Sequence, residues 1–374
     1  MNSSFSYNPE NVFSPIAHIL PREKSFIYAV TNIDYPVILP ADDSNKNDFD
    51  YKNSSSSSRK QRVKYASPKD LPKYSKCIAK TFPSEIRETH AFFSQHPWRF
   101  VVQSINAPVF SRAKIACFAD ILIPAEYHAA EARRMQEFVD VVEWKDKLNV
   151  LFWRGSTTGG VYDYGTGWRR FHRTRLIDWE RKFRARFPWM VFDAGKTQDS
   201  ALWALKNSSL CLPLSNQNRN DCLLGTVAVD VGFNVVMNAM SLSFIESFIK
   251  EYPYKSYVQH KTATRFKYLL VVDGNTWPGR MQWYLSTKSV VLYAGVFHDF
   301  FMSQLVPWVH YVPVRLDFSD LDEKLVWLVL HDDSARKISE NARKLVSGVN
   351  SLEAMQCYTG LAFLEYSWLY NDES

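Results

Sequence analysis

The stretch Leu-Asn-Val-Leu-Phe-Trp-Arg-Gly-Ser-Thr-Thr-Gly-Gly, residues 148–160, decides the fold. Its first six residues form an apolar run that predicts a buried strand, and the glycine-rich remainder predicts a turn. Residues 168–187 carry apolar side chains at helical spacing and predict a basic helix. A strand, a small-residue loop and a helix in this order are typical of an open α/β sheet.

The residues of this loop are suited to bind an anion. Arg154 can pair with two phosphate oxygens, and Ser156, Thr157 and Thr158 supply hydroxyl groups beside Gly155. Backbone N–H groups in such a loop add to an anion site. The stretch is not a P-loop, because no Gly-Lys-Ser/Thr follows, and it lacks the G-x-G-x-x-G spacing of a Rossmann fingerprint. An ordinary strand-to-helix turn is the alternative interpretation.

Two more apolar runs end in polar loops: residues 267–272 lead into Asp-Gly-Asn-Thr-Trp-Pro-Gly-Arg at 273–280, and residues 289–293 lead into the segment that holds Asp299. Ligands of open α/β sheets bind beyond the carboxyl ends of the strands. Three polar loops there, two of them with an arginine, predict a site for a diphosphate-bearing ligand. The alternative for Arg280 is an exposed ion pair with Asp273.

Composition bounds the class of protein. A chain of 374 residues with 46% hydrophobic content predicts two domains. Aromatic residues make up 15%, which suits sugar binding, although core packing is the alternative for most of them. The net charge of +6 fits an anionic nucleotide ligand as well as a nucleic-acid surface. The five cysteines form no C-x-x-C motif, which argues against a structural zinc site.

The N-terminal region offers one candidate for acid–base chemistry. Residues 26–30 predict a strand, and Asp34 follows it, two residues before a proline. An aspartate there can act as a general base, or it can simply cap a turn. Residues 41–75 predict a disordered insert. The insert contains Asp-Phe-Asp at 48–50, which either binds a metal or is solvated; Asp-Leu-Asp at 320–322 is the other acidic triplet.

Three motifs carry a resemblance to a known family. Trp-Arg-Gly-Ser-Thr-Thr-Gly-Gly at 153–160, Val-Asp-Gly-Asn-x-x-x-Gly-Arg at 272–280 and Pro-Trp-Val-His-Tyr-Val-Pro-Val at 307–314 resemble glycosyltransferase family 90. That family includes fungal capsule-associated xylosyltransferases and animal protein O-glucosyltransferases. The likeness runs from about residue 26 to 365, with the insert unmatched.

The resemblance implies an α/β fold of the GT-B-like type, in which two Rossmann-like domains face each other across a cleft. Residues 1–147 would form the acceptor-side domain with the catalytic aspartate. Residues 148–345 would bind the UDP-sugar. Residues 346–374 would form a C-terminal helix that packs back on the first domain.

The resemblance also implies an inverting transfer of a sugar, foremost xylose, from a UDP-sugar to a glycan hydroxyl. Asp34 would be the base, and Arg280 would stabilise the leaving UDP. The implied donor-binding residues are Arg154, Gly155, Ser156, Thr157, Arg173, Gly274, Asn275, Thr276, Trp277, Gly279 and Asp299. Asp120 and Pro124 would lie on the acceptor side. The alternative for Arg173 is a place on a solvated basic face of the helix. The alternative for Asp120 is a structural role at a strand end.

The expected partners are a UDP-sugar co-substrate and a glycan or glycoprotein acceptor, with no nucleic acid, no cofactor and no metal, because two arginines supply the positive charge. The family implies the Golgi lumen and an N-terminal membrane anchor, and no anchor or secretion signal is visible at the start of this chain. Two alternatives remain. One is a protein O-glucosyltransferase that uses UDP-glucose. The other is a non-catalytic carbohydrate- or nucleic-acid-binding module.

Overall fold

A computed structural model describes residues 29–30, 63–65, 80–82, 84–91, 93, 101–103, 109–116, 120–136, 138–190, 193–195, 219–224 and 226–372. Asp34 and the 48–50 triplet lie outside the described residues. Within the predicted insert, Val63–Tyr65 forms a strand that pairs antiparallel with Val101–Gln103. The expectation of disorder is therefore wrong for this short piece, in which the β-prone residues valine and tyrosine flank a lysine.

The elements of the described residues are numbered here in chain order. The strands are β1 Ala29–Val30, β2 Val63–Tyr65, β3 Val101–Gln103, β4 Val109–Ser111, β5 Lys114–Ile115, β6 Ile121–Leu122, β7 Leu148–Ser156, β8 Ala228–Val235, β9 Phe266–Val272, β10 Val290–Ala294, β11 Phe297–His298 and β12 Val312–Pro313. The helices are α1 Ser84–Thr89, α2 Glu126–Gln136, α3 His172–Arg186, α4 Arg219–Leu224, α5 Leu242–Glu251, α6 His260–Ala263, α7 Arg280–Leu285, α8 Leu321–Leu330, α9 Asp332–Val349 and α10 Leu352–Asp372.

The main sheet has five strands in the order β12-β10-β9-β7-β8, and all of its pairings are parallel. Every residue of β9 and β10 is buried. Such continuous apolar strands are typical of a parallel sheet that is covered on both faces. The strands predicted at residues 148–153, 267–272 and 289–293 are confirmed, as is the basic helix, which begins after a short 3-10 turn at Trp168–Arg170.

Strand β7 is longer than its sequence predicts. Arg154, Gly155 and Ser156 belong to the strand and pair with β8, with a register shift between Gly155 and Ser156. The polar residues were expected to end the strand, but pairing with β8 continues past them. The loop therefore begins at Thr157, and the side chain of Arg154 emerges from the sheet rather than from a turn.

A second parallel sheet has the order β1-β4-β6, so the chain has a mixed α/β fold. Helix α10 packs against this sheet, where the ring of Phe363 stacks on Phe110 at 4.2 Å. The hydroxyl of Tyr358 donates to the carbonyl of Leu122 at 3.0 Å. None of the helices in the described part of the chain has the length and apolar content that a membrane span requires.

Candidate functional site

A cavity of about 350 Å³ opens at the carboxyl ends of β7 and β9. This is the edge of the sheet at which open α/β proteins bind their ligands. The described residues that line it are Tyr127, Ser156, Thr158, Arg173, Gly274, Asn275, Thr276, Trp277, Pro278, Gly279 and Arg280. Eight of the eleven were expected as site residues from the sequence, and the fold brings those eight together.

Arg173 holds two loops of the cavity in place. Its Nε donates to the carbonyl of Asp273 at 2.7 Å, and its Nη1 donates to the carbonyl of Ser156 at 2.8 Å and to the hydroxyl of Thr158 at 2.6 Å. The side chain is 5% exposed, so the alternative of a solvated basic face is wrong. Burial, and after it the charge of Arg280, lowers its pKa to about 10, so the guanidinium stays charged at neutral pH.

Arg280 is half-buried at the start of α7 and lines the same cavity. Its Nη1 donates to the carbonyl of Arg154. No carboxylate of the described residues lies within ion-pair distance of it. The alternative pair with Asp273 does not form, because the buried Asp273 carboxylate accepts from Tyr293 Oη at 2.9 Å and from the Val296 N–H at 2.6 Å.

The lining of the cavity is positively charged. Arg173 and Arg280 both reach it, and no aspartate or glutamate is among its described lining residues. The acceptors around Arg173 are neutral carbonyl and hydroxyl oxygens, which satisfy hydrogen bonds without cancelling the charge. Two partly desolvated cations without a counter-ion favour a ligand with two negative charges.

Arg154 corrects an expectation. It is buried, and its Nη2 lies 2.8 and 2.9 Å from the carboxylate oxygens of Asp230 and 3.1 Å from Asp193 Oδ1. Its Nε donates to the carbonyl of Ser256 at 2.9 Å. The guanidinium that was expected to hold phosphate is therefore neutralised by two carboxylates of the protein, and Arg154 has a structural role.

Two further expectations about this strand change in the structure. The Thr157 hydroxyl is fully buried and exchanges hydrogen bonds with the backbone of Met237, whereas Thr158 lines the cavity. Successive side chains of an extended chain point to opposite sides, and this alternation separates the two hydroxyls. Gly155 lies outside the main cavity and instead lines a smaller cavity beside it. A Cβ at Gly155 would lie 2.5 Å from the Trp153 ring.

The loop at 273–279 is fixed by its neighbours. Asn275 Oδ1 accepts from the N–H of Gly159 at 3.0 Å and from Asn238 Nδ2 at 2.9 Å, so three loops meet at this amide. Gly159 has a φ of 102°, which favours glycine. A Cβ at Gly279 would lie 2.3 Å from the Tyr127 ring, so the loop and α2 approach closely. Asn275 therefore organises the wall of the cavity.

Asp299 does not line the cavity, contrary to expectation. It is buried, and its Oδ2 lies 3.2 Å from His128 Nε2. The N–H of Ala125 donates to His128 Nδ1 at 2.9 Å, so the proton lies on Nε2 and is donated to Asp299. The His128 ring also stacks on Trp277 at 5.7 Å. The pair joins α2 to the segment after β11 and supports the cavity from behind.

The two expected acceptor-side residues are buried. Asp120 accepts a hydrogen bond from the hydroxyl of Ser111, and its carbonyl accepts from Lys114 Nζ at 2.8 Å. The structure thus agrees with the alternative of a structural role at a strand end. Pro124 is buried just before α2. Neither side chain is available to an acceptor in this conformation.

A second cavity of about 240 Å³ adjoins the first and shares Ser156 and Arg280 with it. Much of its lining is apolar or aromatic: Phe152, Val235, Met237, Tyr257, Val258, Ala263 and Tyr284. Together the two cavities form a charged half and an apolar half that meet at Arg280. Tyr127 and Tyr257 are among the lining residues to which the sequence analysis gave no role.

Within the described ranges, no cluster of three or more His, Cys, Asp or Glu side chains is arranged to hold a metal ion. The side chains of Asp320 and Asp322 accept hydrogen bonds from the Arg315 N–H at 3.0 Å and from Trp179 Nε1 at 2.8 Å.

Residues 234–373 match the sequence family described as glycosyl transferase family 90. The C-terminal part of this chain is shared with family 90. The resemblance carried by the motifs at 272–280 and 307–314 is thereby confirmed. The Trp-Arg-Gly-Ser motif at 153–156 and Asp34 precede the matched residues.

Curated relatives agree with family 90. Protein O-glucosyltransferase 2 of Danio rerio is 34% identical over 106 residues, and protein O-glucosyltransferase 1 of Rattus norvegicus is 32% identical over 104 residues. Each match covers 28% of this chain, but only 21% and 26% of the respective relatives. Among solved structures, sucrose-phosphate synthase from Thermosynechococcus elongatus aligns over 66% of this chain and 52% of its own, with 12% identity and a TM-score of 0.31.

Proposed function

We propose that this chain is a glycosyltransferase whose charged cavity binds the diphosphate of a sugar nucleotide. One observation carries the proposal: Arg173 and Arg280 reach a cavity whose described lining contains no carboxylate. A diphosphate supplies the negative charges that the protein itself does not. The match to family 90 and the names of the relatives support a transferase that acts on sugars.

The nucleoside would occupy the second cavity. The apolar and aromatic lining of this cavity suits a flat base. The two cavities join at Ser156 and Arg280, so a diphosphate attached to the nucleoside would lie next to these two residues. The hydroxyls of Ser156 and Thr158 and the exposed backbone of the 274–279 loop would donate to phosphate oxygens. Arg154 lines the second cavity, but its guanidinium would not bind the phosphates, because Asp230 and Asp193 already neutralise it.

In the reaction, Arg280 would stabilise the charge that builds on the leaving diphosphate as the bond from the sugar carbon breaks. A fixed cation in a partly desolvated site does this without reorganisation. Arg173 would hold the loops in place and add to the field. Asp34 would take the proton from the acceptor hydroxyl, which then attacks the sugar from the opposite side and inverts the anomeric carbon. A GT-B-like cleft between two domains would bring the two substrates together.

The donor is proposed as UDP-xylose or UDP-glucose. The motif resemblance favours the fungal xylosyltransferases, whereas the named relatives are protein O-glucosyltransferases. A folded protein module is therefore the second candidate acceptor besides a glycan. With either acceptor, the proposed compartment is the lumen of the secretory pathway, since the family acts there.

A hydrolysis screen tests the proposal without knowledge of the acceptor. Purified protein is incubated with UDP-xylose, UDP-glucose and GDP-mannose, and the released nucleotide is measured with and without EDTA. We expect UDP release from one UDP-sugar, unchanged by EDTA and lost in Arg280→Ala. Release from GDP-mannose alone would contradict the UDP assignment. Loss with EDTA that manganese restores would favour the acidic triplet at 48–50.

A further inference from the structure

A third cavity lies beside the edge strand β12. Its volume is about 550 Å³, and it shares no lining residue with the two cavities of the proposed donor site. It is formed by the turn before β12 and by helices α8 and α9. The lining residues that matter here are Trp308, Trp327, Glu323, Lys324, Lys337 and Asn341.

Trp308 is held in an unusual conformation at the mouth of this cavity. Its φ is 65°, in the left-handed region that bulky residues rarely adopt. Its N–H donates to the carbonyl of Tyr311 at 2.7 Å, and His310 Nδ1 accepts from the N–H of Val306 at 2.9 Å, so the turn is closed by its own hydrogen bonds. Strained backbone of this kind is found at ligand-binding sites.

The ring of Trp308 is both fixed and accessible. Trp327 contacts it edge to face at 4.8 Å, and the ammonium of Lys324 lies 4.7 Å from the ring centre. The side chain nevertheless remains 38% exposed. A large apolar ring that is orientated by its neighbours and left open to solvent is a platform for a ligand.

The polar lining decides the class of ligand. Lys324 pairs with Asp320 at 3.8 Å, and Glu323 adds a carboxylate to the lining, so the cavity lacks the concentrated charge that binds phosphate or nucleic acid. Carboxylate, ammonium and amide groups surround an aromatic platform, and this combination matches a sugar ring, which has apolar C–H faces and hydroxyls at its edge. We propose that this cavity is a binding site for a neutral oligosaccharide. It is separate from the proposed donor site, and the inference does not depend on the function proposed for the donor site.

Affinity electrophoresis in gels that contain soluble arabinoxylan, mannan or mixed-linkage β-glucan tests the inference. We expect at least one polysaccharide to retard the wild-type protein, and Trp308→Ala to weaken that binding at least tenfold. Trp308→Phe, which keeps a ring, should retain part of it. Trp368→Ala is the matched control, because Trp368 is 56% exposed on α10 and lines no cavity described above.

A UDP titration and far-UV circular dichroism show whether Trp308→Ala is folded, and both should equal the wild type. Three results would overturn the inference: no retardation by any of the three polysaccharides, equal retardation of wild type and Trp308→Ala, or loss of retardation in Arg280→Ala. The last would assign the sugar to the donor cavity instead. Failure here leaves the diphosphate proposal standing, since UDP binding is measured separately.

Discussion

The Nη2 of Arg154 lies 2.8 and 2.9 Å from the two carboxylate oxygens of Asp230, and both side chains are buried. The 2.9 Å hydrogen bond from Arg154 to the carbonyl of Ser256 and the 3.0 Å bond from the Ala194 N–H to Asp230 extend this network across the end of the sheet. The arginine of the first motif is thus a structural element, and the arginines that serve the cavity come from later in the chain.

Arg154→Met should therefore destabilise the fold. It leaves Asp230 buried without its main partner, and breaking a buried pair on one side costs ~3–5 kcal/mol. Urea denaturation measures the loss. The double variant Arg154→Met with Asp230→Leu should recover part of it, because the buried Asp230 carboxylate is removed and Lys255 keeps Glu180 as its partner. A loss below about 1 kcal/mol for the single variant would instead match an exposed pair.

Two glycines give contrasting predictions. A Cβ at Gly155 would lie 2.5 Å from the ring of Trp153, which is fully buried and cannot move, so Gly155→Ala should cost ~1–3 kcal/mol through overpacking. A Cβ at Gly279 would meet the outer end of Tyr127, which is 41% exposed and can swing away, so Gly279→Ala should change stability by about 0.5 kcal/mol or less. Thermal unfolding of both variants measures their stability. A larger loss of stability for Gly279→Ala than for Gly155→Ala would contradict this packing.

The acid stability of the fold should depend on His90. Its ring stacks on His172 at 4.2 Å, and burial lowers the pKa of His90 to about 3 and that of His172 well below its usual value. A lowered pKa in the folded state means that the unfolded chain binds more protons below pH 6.5, so stability is lost as the pH falls. His90→Phe should reduce the loss between pH 8 and pH 5 by ~2 kcal/mol.

Measurements of the unfolding free energy at several pH values check this. Asp273 contacts His90 and acts with the opposite sign: burial raises its pKa to about 6, so its contribution is lost as the pH rises through that value. Because His90→Phe also removes this contact, the comparison is made in an Asp273→Asn background, where the difference between the two curves isolates His90. Parallel curves would show that His90 is not held neutral.

Asp34 is predicted to be the base. Asp34→Asn is nearly isosteric but cannot accept a proton at neutral pH, so transfer should fall by ~10²-fold or more. UDP binding should persist, because the base does not touch the diphosphate. Initial rates of transfer and a UDP titration on the same protein make the comparison. Activity within a few-fold of wild type would remove Asp34 from the mechanism.

Local patterns predicted the strands and the loops of the site, because continuous apolar runs and glycine-rich breaks are local features of the chain. They could not predict the partners of Arg154, since Asp193, Asp230 and Ser256 lie 39 to 102 positions away. Whether Thr157 or Thr158 lines the cavity depends on where β7 ends, and pairing with β8 decides where it ends. Tyr127 lines the cavity because α2 packs against Gly279, and this is another contact between segments that are distant in the sequence.

Arg280 is proposed to bind the diphosphate of the sugar nucleotide directly. Its planar fork can donate two charge-assisted hydrogen bonds, a geometry that lysine cannot copy. Losing such bonds costs ~1.5–3 kcal/mol, or about ten- to a hundredfold in affinity. Arg169→Ala is the matched control, because Arg169 is an exposed arginine that pairs with Glu251 outside the cavity.

Calorimetric titration of UDP into wild type, Arg280→Lys, Arg280→Ala and Arg169→Ala tests this claim most directly. We predict wild-type affinity for Arg169→Ala, weaker binding for Arg280→Lys and the weakest for Arg280→Ala. Equal dissociation constants for wild type and both Arg280 variants would contradict the account, because the cavity between Arg173 and Arg280 could then not be the diphosphate site.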